Sequence, residues 1–497
     1  MIILSGEKMR KMTEKLRKSI GIGLAGTFLA ILSGCGEKEE PLTITVMTEQ
    51  FPVYAPGNGE AWLDAIEQET GVNLQITMTP TLEYAATVES AIRGSKLPMV
   101  FTANESILSK ESFFAYLNAG GFWELEEYLD DYPNLKEFAG EEIWANSEIQ
   151  GHIYGIPRLR IRPRYAAYYR KDWAEALGIA PPQNLEELYD MLKAFTLEDP
   201  DGNGVNDTVG LVNSWQSHGA RQWNGVQMLT TVLGGPDSWR YETTEGKMVP
   251  DFSTDSYLEM LRWFRTLYQE GILDHSFAFL TSVQRQELFI QGYAGMIFSV
   301  IDDGPELEAQ MRQMNPQAEI AVLPLLEGPD GEYRLNGNAG YNGLIVFNRL
   351  GEGAVRDEEQ LREILDFYNT MCGEQGQEIL NSEKEEGNSY VQFMPMPAYV
   401  RREDDSELQS TVYDCVEERE QYVVTDDSTG LYSETYVRLR NVLNEKIQKA
   451  SIRFIMGEIQ EKDYWEEYRM WYESGGKNVI EEYTKAYEQK LRSTHLE

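Results

Sequence analysis

Short apolar runs and helically spaced apolar positions alternate along the chain from residue 42 onward. Leu42–Met47 and Val72–Met78 are rich in β-forming residues and are typical of strands. Glu60–Gln68 and Leu82–Ile92 instead carry apolar side chains at the spacing of a helix that packs through one face. A third apolar run, Met99–Thr102, completes a strand–helix–strand–helix–strand order, which predicts a parallel sheet and an α/β fold.

Two later segments have the pattern of chain crossings between separate lobes. Gly151–Arg170 is rich in β-forming residues and contains two prolines, so we expect it to be extended. Between Gly295 and Gly343, a stretch rich in glycine and aspartate alternates with apolar runs, which are Met296–Ile301, Ile320–Leu325 and Leu344–Phe347. Two lobes that the chain crosses more than once are able to close about a hinge. We therefore expect a first lobe of 42–160 with 296–342, and a second lobe of 161–295 with 343–497 that includes the C-terminal helices.

The first forty residues have the pattern of a bacterial export signal. Six lysines and arginines lie between residues 8 and 18, and the apolar run Ile20–Ile31 follows them. This run has the length of a signal-peptide core and is too short to span a membrane. It ends at Leu32–Cys35, which looks like a lipobox, so we expect 1–34 to be a lipoprotein signal peptide, Cys35 to be lipidated and 35–41 to be a tether. An ordinary secretory leader with an accidental cysteine is the alternative.

The net charge and the few cysteines and histidines exclude several classes of protein. The chain has 82 acidic and 44 basic residues and a net charge of −38, which repels nucleic acid and anionic lipid headgroups. Three cysteines are too few for a disulfide scaffold, and in an oxidising compartment Cys372 and Cys415 either pair or remain two buried thiols. The scattered histidines argue against a His-based metal centre; they are His152, His218, His275 and His495.

Ten motifs in a fixed order carry a family resemblance, beginning with the lipobox. The other nine are Glu69–Val72, Leu97–Pro98, Ile153–Arg158, Tyr169–Trp173, Ala176–Gly178, Asp199–Gly204, Glu270–Leu273, Phe289–Gly292 and Ile455–Gly457. Together they resemble a family 1 extracellular solute-binding lipoprotein of a bacterial ABC importer. The chain is most similar to the large Gram-positive branch that serves oligosaccharide uptake.

This resemblance implies both a fold and a function. The implied fold is α/β and of the type II periplasmic-binding-protein kind, with a ligand cleft between two lobes that are joined by hinge crossings. The implied protein is anchored by lipid on the extracellular face of the cell membrane, and we expect a monomer that captures an oligosaccharide and hands it to the ABC permease subunits. Such proteins are not enzymes and hold no organic cofactor. The aromatic and acidic composition suits this function, because sugar rings stack on Trp and Tyr while hydroxyls pair with polar side chains.

The sequence carries no recognised catalytic motif. It contains no Gly-x-Ser-x-Gly, no His-Glu-x-x-His and no phosphate-binding Gly-x-x-x-x-Gly-Lys. Glycosidases need only a pair of carboxylates, and this acidic chain has many. A lipid-anchored hydrolase acting on glycans therefore stays open as an alternative, as does a surface adhesin with the same fold.

Residues 199–207 have the spacing of a calcium-binding loop. The candidate ligands at loop positions 1, 3, 5, 7 and 9 are Asp199, Asp201, Asn203, the carbonyl of Val205, and Asp207. Gly204 allows the sharp turn that such loops make, but position 12 is Gly210 in place of the usual bidentate glutamate. We expect a structural calcium ion away from the cleft. A polar turn is the alternative, because Asp, Asn and Gly favour turns in any case.

Aromatic and polar residues in loops are the candidates for ligand contact. They are Tyr54, Trp215, Trp223, Trp239, Tyr341 and Asn342. The three tryptophans lie in or beside a region rich in Gly, Asn and Ser, where they form either ligand platforms or core packing. Tyr54 follows the first strand, where ligands bind in such sheets, and the last two residues lie at the second crossing. The aromatic residues of Tyr464–Tyr472 have helical spacing and are expected to pack in the core.

Four arginines recur at every second residue of the first crossing: Arg158, Arg160, Arg162 and Arg164. If the segment is extended, this spacing puts all four on one face, where like charges repel. Either acidic residues of the protein pair with them and fix the hinge, or part of the row binds an anionic ligand such as a uronate-containing oligosaccharide. Because guanidinium groups bind carboxylates through two parallel bonds, the second interpretation predicts a ligand contact, with Arg158 as the first candidate.

Overall fold

Strands and helices alternate along the chain as the apolar pattern predicts. The computed structural model describes residues 41–50, 59–215, 225–382 and 392–494. The strands in these ranges are β1 (Thr43–Gln50), β2 (Asn73–Pro80), β3 (Val100–Ala103), β4 (Gly155–Leu159), β5 (Tyr165–Arg170), β6 (Val209–Val212), β7 (Trp239–Glu242), β8 (Lys247–Pro250), β9 (Ala294–Val300), β10 (Ile320–Val322), β11 (Leu335–Asn336), β12 (Tyr341–Phe347) and β13 (Val423–Val424).

The helices cover both faces of the sheets that these strands form. They are α1 (Gly59–Thr70), α2 (Thr81–Gly94), α3 (Glu105–Leu108), α4 (Glu111–Asn118), α5 (Pro133–Asn146), α6 (Lys171–Leu177), α7 (Leu185–Leu197), α8 (Val226–Val232), α9 (Asp255–Gln269), α10 (Ser282–Ile290), α11 (Gly304–Met314), α12 (Glu358–Cys372), α13 (Glu374–Ser382), α14 (Glu407–Arg419), α15 (Glu434–Ile455), α16 (Glu461–Trp471) and α17 (Lys477–Thr494). Within the described ranges, no helix combines the length and apolar character needed to cross a membrane.

The first sheet has five strands in the order β2-β1-β3-β12-β4. β1 runs parallel to β2 and β3, whereas β12 runs antiparallel to β3 and β4. Helices α1 and α12 bury one face of this sheet and helices α2 and α4 bury the other. The predicted strand–helix–strand–helix–strand order is therefore confirmed. We call this sheet, together with the helices packed on it, the first lobe.

The second sheet has four strands in the order β10-β5-β9-β6. β9 runs parallel to β6 and antiparallel to β5. Helices α7, α9, α15 and α16 pack on one face, and helices α10, α11 and α14 pack on the other. The second lobe denotes this sheet with its helices. The predicted core role of the C-terminal aromatic residues is confirmed at Tyr464 and Trp471, which are almost fully buried here.

Strand pairing corrects the expected division of the chain after residue 295. We expected 296–342 in the first lobe, but β9 and β10 pair with β5 in the second. We expected 343–497 in the second lobe, but β12 pairs with β3 and β4, and α12 and α13 pack on the first sheet. The apolar runs alone could not settle this, because a buried strand suits either sheet. The C-terminal helices α15 to α17 lie in the second lobe, as expected.

Within the described residues, the chain crosses between the lobes three times. β4 and β5 lie in different sheets, so the first crossing falls within Gly151–Arg170, and the second falls between β10 and β12. A third crossing follows α13, because Met394 packs in the first lobe and Tyr399 packs in the second. The sequence showed no signal for this third crossing. The two remaining cysteines lie in different lobes and are free thiols, Cys372 against the first core and Cys415 against the second.

Candidate functional site

The two sheets present matching edges to each other across the first crossing. β1, β3 and β4 run in one direction, so their carboxyl ends lie at the same edge of the first sheet. β4 leaves this edge, and after residues 160–164 the chain enters β5 beside the carboxyl end of β9. Ligands of open α/β sheets bind beyond the carboxyl ends of strands. The space between the two edges is therefore the candidate ligand cleft.

A polar cluster follows the strand ends of the first sheet. Glu49 at the end of β1 is 2% exposed, and its carboxylate accepts a bond from Asn104 Nδ2 at 3.0 Å. Arg158 Nη1 lies 3.6 Å from Glu49 Oε1 and donates to the carbonyl of Asn342 at 3.2 Å. The other terminal nitrogen of Arg158 donates to Gln392. These contacts hold the Arg158 guanidinium in one orientation, while burial lowers its pKa and the Glu49 charge opposes that decrease.

The arginine row does not lie on one face. Arg164 N donates to the carbonyl of Arg162 at 2.8 Å, so a turn ends the extended segment after Arg160. Acidic residues from both lobes compensate three of the four charges. Arg158 pairs with Glu49, Arg164 pairs with Asp302, and Arg162 pairs with Glu142 of α5 and Glu420 before β13, both at 2.9 Å. The interpretation that acids of the protein pair with this row is confirmed for these three arginines.

Arg160 differs from the other three. In the part of the chain that the structure describes, its side chain has neither an ion-pair partner nor a hydrogen-bond acceptor, and it is half-buried. Its backbone N donates to the carbonyl of Gly340 at 2.8 Å and so joins the first crossing to the second. Burial, followed by the nearby charge of Arg164, lowers the pKa of Arg160 to about 10, so the guanidinium keeps its charge at neutral pH.

The predicted contact residues divide between the cleft edge and the core. Tyr341 and Asn342 begin β12 at the edge of the first sheet, and a register shift between β12 and β4 follows Tyr341. The Tyr341 hydroxyl donates to the carbonyl of Asn146 at 3.2 Å, and burial raises its pKa to about 12. Among the described residues, the Asn342 carboxamide has no hydrogen-bond partner and the Asn342 carbonyl binds Arg158.

The structure corrects the expectation for two tryptophans. Trp215 is 2% exposed and packs edge-on against Phe264 and Phe277. Trp239 is 5% exposed and packs edge-on against Tyr483. Their indole faces are covered by the second-lobe core, which was the alternative to a ligand platform. Tyr54, Trp223 and Cys35 lie outside the described residues.

Sequence reasoning missed Glu49 and Asn104, although their positions carried a signal. Glu49 is the next-to-last residue of β1 and Asn104 directly follows β3, and the carboxyl ends of such strands face the ligand edge. Tyr165 at the start of β5 was missed as well. Its pKa is raised by burial, then by Asp237, while Arg160 and Arg164 lower it, so this phenol lies among charged groups of the crossing.

The candidate calcium loop connects α7 to β6 in the second lobe. Its carboxylates accept backbone bonds: Asn203 N donates to Asp199 Oδ1 at 3.1 Å, and Gly204 N donates to Asp199 Oδ2 at 3.0 Å. Asn203 Nδ2 donates to Asp201 Oδ2 at 2.9 Å and to Asp207 Oδ1 at 3.1 Å. The oxygens of these acids therefore converge on Asn203. The Asn203 oxygen accepts from Val205 N at 2.7 Å, so the oxygens that converge are those of the carboxylates, the kind of ligand that a hard cation prefers.

Close packing at Gly210 explains why the loop has no glutamate ligand at position 12. A Cβ at Gly210 would lie 2.2 Å from the carbonyl oxygen of Leu192, so no glutamate fits there. Gly204 has φ of +84°, as the predicted sharp turn requires. The buried hydroxyl of Thr208 donates to the carbonyl of Phe195 at 2.7 Å and anchors the end of the loop.

A different group of side chains holds potential metal-ligating atoms closer together than the calcium loop does. Among the described residues, Glu124, Glu126 and His152 form the cluster of metal-ligating side chains whose ligand atoms all lie within 4.8 Å. All three are exposed, and bonds within the protein account for their arrangement. Glu126 Oε1 accepts from Ile153 N at 2.7 Å, and Glu124 Oε1 accepts from the Tyr154 hydroxyl at 3.3 Å.

Comparison with known proteins decides the family. A model of the bacterial extracellular solute-binding protein family matches residues 55–367. The chain belongs to this family. The resemblance seen in the motifs is thereby confirmed, and with it the interpretation as a binding protein and not an enzyme.

Curated relatives of this solute-binding protein cover most of its length. Lipoprotein LipO of Bacillus subtilis is 29% identical over 487 residues, which is 92% of this chain and 94% of LipO. The polygalacturonan/rhamnogalacturonan-binding protein YtcQ of the same organism is 28% identical over 449 residues, which is 85% of this chain and 87% of YtcQ.

Solved structures share the fold of the solute-binding protein. FusA of S. pneumoniae, a substrate-binding protein of an ABC transporter in complex with kestose, aligns with a TM-score of 0.64 at 17% identity, over 91% of this chain and 100% of FusA. A second FusA structure, described as an EF-hand mutant in complex with fructo-nystose, has a TM-score of 0.62 at 17% identity, over 91% of this chain and 100% of FusA. The predicted two-lobed fold of the type II periplasmic-binding-protein kind is confirmed.

Proposed function

We propose that this solute-binding protein captures an oligosaccharide between its two lobes and delivers it to the permease of an ABC importer. The observation that carries the proposal is the polar edge of the first sheet, where Glu49, Asn104, Arg158 and Asn342 converge at the crossing to the second lobe. Sugar hydroxyls need both donors and acceptors when they are buried, and this edge offers both. The relatives YtcQ and FusA are named for carbohydrate ligands.

The proposal includes closure of the two lobes on the ligand. In the part of the chain that the structure describes, three crossings join the lobes, and Arg162 forms ion pairs with a carboxylate of each lobe. A second contact between the lobes pairs the rings of Phe114 and Tyr432, whose centroids lie 4.4 Å apart. A ligand that contacts both lobes favours the closed form by the free energy of those extra contacts. The closed form then presents the surface that the permease recognises.

We also propose that the protein is anchored to the extracellular face of the cell membrane. Its lipobox would supply the anchor at Cys35, and 35–41 would act as the tether. The relative LipO is named a lipoprotein and matches nearly the whole chain. A single lipid-modified cysteine keeps the binding lobes beside the permease without a membrane-spanning segment. We expect a monomer on this anchor.

Calcium at the loop of α7 and β6 is a further part of the proposal. The candidate ligands Asp199, Asp201, Asn203, Val205 and Asp207 lie on the second lobe, and Asp207 comes two residues before β6. A bound cation would fix the loop between α7 and β6, and its role would be structural because no cleft residue belongs to it. The FusA structure described as an EF-hand mutant indicates that a related fold carries a loop of this kind.

An acidic oligosaccharide is the ligand class that the arginine row favours. Polygalacturonan, for which YtcQ is named, bears a carboxylate on each sugar unit. Acids of the protein compensate three of the four arginines at the first crossing, and Arg160, which has no acidic partner among the described residues, is suited to pair with a carboxylate. Arg158 is held by Glu49 and Gln392, so in this arrangement it is suited to hydroxyl groups and to orienting the edge.

The test is calorimetry of the purified full-length protein with a glycan panel that includes trigalacturonate and kestose, with product analysis on the same samples. Saturable binding without any cleavage product supports a solute-binding protein. Release of shortened glycan would instead establish the hydrolase alternative. Binding of none of the glycans, by a protein whose thermal unfolding is cooperative, would contradict carbohydrate capture.

A further inference from the structure

The four arginines of the first crossing are not equivalent. Arg158, Arg162 and Arg164 each have a carboxylate partner within 4.0 Å, whereas Arg160 has none among the described residues. Asp302, an acid whose charge acts on Arg160, already pairs with Arg164. Among the arginines of this row, Arg160 is therefore the one whose charge a ligand carboxylate could pair with.

Arg160 lies where both lobes can act on it. Its backbone is bonded to Gly340 of the second crossing at 2.8 Å. The charges that influence its guanidinium come from Arg158 on the first lobe and from Arg164 and Asp302 on the second. The turn at Arg162 directs the chain away after this residue, so Arg160 is the last arginine of the extended segment. Arg160 thus lies where the first and second crossings meet, within the influence of charges from both lobes.

The local electrostatics favour an anion at this point. Two like charges, Arg164 and Arg158, oppose the charge of Arg160, and partial burial removes much of the water that would otherwise stabilise it. A carboxylate placed there would neutralise the charge of Arg160 and could form two parallel bonds to its guanidinium. A neutral sugar hydroxyl offers only a single weaker acceptor in the same place.

We propose that Arg160 forms a carboxylate-binding subsite that selects a uronic acid unit of the bound oligosaccharide. This inference rests on the proposed function and names the ligand group that the cleft recognises, which is a carboxylate. Arg158 orients the edge through its bonds to Glu49 and Asn342, whereas Arg160 contacts the carboxylate of the ligand. Arg162 and Arg164 keep their carboxylate partners in the protein.

The test compares trigalacturonate with its methyl ester, which has the same sugars without the negative charges. Calorimetry is done on the full-length wild type, Arg160→Gln, Arg160→Lys and a charge-matched control, Arg349→Gln. Arg349 is exposed and lies over the ring of Trp123 on the first lobe, so its loss changes the net charge equally without touching the cleft. Thermal unfolding of each variant is recorded beside the binding data.

We expect Arg160→Gln to weaken trigalacturonate binding roughly 10- to 150-fold, the loss of one charge-assisted contact. Binding of the methyl ester should change less than about 3-fold, and Arg160→Lys should keep part of the preference because it keeps the charge but not the two-bond geometry. Arg349→Gln should bind both ligands as the wild type does. The melting temperature of Arg160→Gln should not fall, because no protein partner is lost.

Two results would overturn the inference, and they are distinguishable. If the wild type binds the acid and the ester equally, or if Arg160→Gln weakens the binding of both ligands by the same factor, the cleft still binds sugars but Arg160 does not recognise a carboxylate. If the wild type binds neither of these ligands nor any other glycan of the panel, the proposed function itself fails and the subsite fails with it.

Discussion

Replacement of Arg158 by leucine should destabilise the first lobe, because it leaves the charge of Glu49 buried. The Glu49 side chain is 3% exposed and that of Arg158 is 11% exposed, and their nearest charged atoms lie 3.6 Å apart. After Arg158→Leu, the remaining bond to the Glu49 carboxylate among the described residues is the one from Asn104 Nδ2 at 3.0 Å. A buried carboxylate with one neutral donor is poorly compensated.

The size of the effect follows from the burial and the separation. Removing one partner of a buried ion pair costs about 3–5 kcal/mol. Since 3.6 Å is longer than a direct hydrogen bond, we expect the lower end, about 3 kcal/mol. For a unit of the size of one lobe, this corresponds to a melting temperature lower by about 6–12 °C.

The assay is a double-mutant cycle measured by thermal and urea unfolding. The variants are Arg158→Leu, Glu49→Gln and the double substitution. Glu49→Gln removes the buried charge and keeps an acceptor for Asn104, so the double variant should recover about 2 kcal/mol relative to Arg158→Leu alone. Arg164→Leu is the matched control. Its partner Asp302 is 44% exposed and can be solvated, so the control should lose less than about 1 kcal/mol.

Two outcomes would refute this reasoning. If the unfolding free energy of Arg158→Leu lies within about 1 kcal/mol of the wild-type value, the Glu49 carboxylate is solvated. A double variant no more stable than Arg158→Leu would mean that the loss comes from the bonds to Asn342 and Gln392 and not from an unpaired charge.

Three further measurements test other parts of the structure. Calcium at 100 times its dissociation constant should stabilise the wild type by about 2.7 kcal/mol and so raise its melting temperature, and Asp201→Ala should abolish that response. If both proteins melt identically with and without calcium, the loop is only a turn. A saturating glycan should lower the radius of gyration in small-angle X-ray scattering, and an unchanged value would contradict hinge closure. Burial, opposed by bonds from Ser428, raises the pKa of Asp426 to about 7. Since its folded pKa exceeds the usual value near 3.9, stability should fall as the pH rises from about 4 to about 7, and Asp426→Asn should flatten this dependence; equal slopes for both proteins would contradict it.

Local patterns in the sequence predicted the elements that depend on local forces. Apolar periodicity gave β1, α1, β2, α2 and β3 to within a few residues, because each element buries one face or stripe of its own side chains. The crossing at Gly151–Arg170 was predictable for a similar reason, since β-forming residues stay extended and proline is tolerated in an edge strand such as β4. The spacing of Asp199–Asp207 likewise predicted a turn in which Asp201 and Asp207 approach Asn203, because a loop with fixed turns holds its side chains at fixed positions.

Contacts between distant parts of the chain required the tertiary structure. A buried apolar run does not specify its neighbours, so only strand pairing assigned β9 and β10 to the second sheet and β12 to the first. A tryptophan in a glycine-rich region is compatible with a platform or with a core, and only the packing of Phe264 and Phe277 covered Trp215. The arginine row shows the same limit most clearly. The sequence by itself placed four like charges at every second residue. The fold decided which of them an acid compensates, because it brings Glu49, Glu142, Asp302 and Glu420 to the row from both lobes. These acids leave Arg160 without a partner among the described residues.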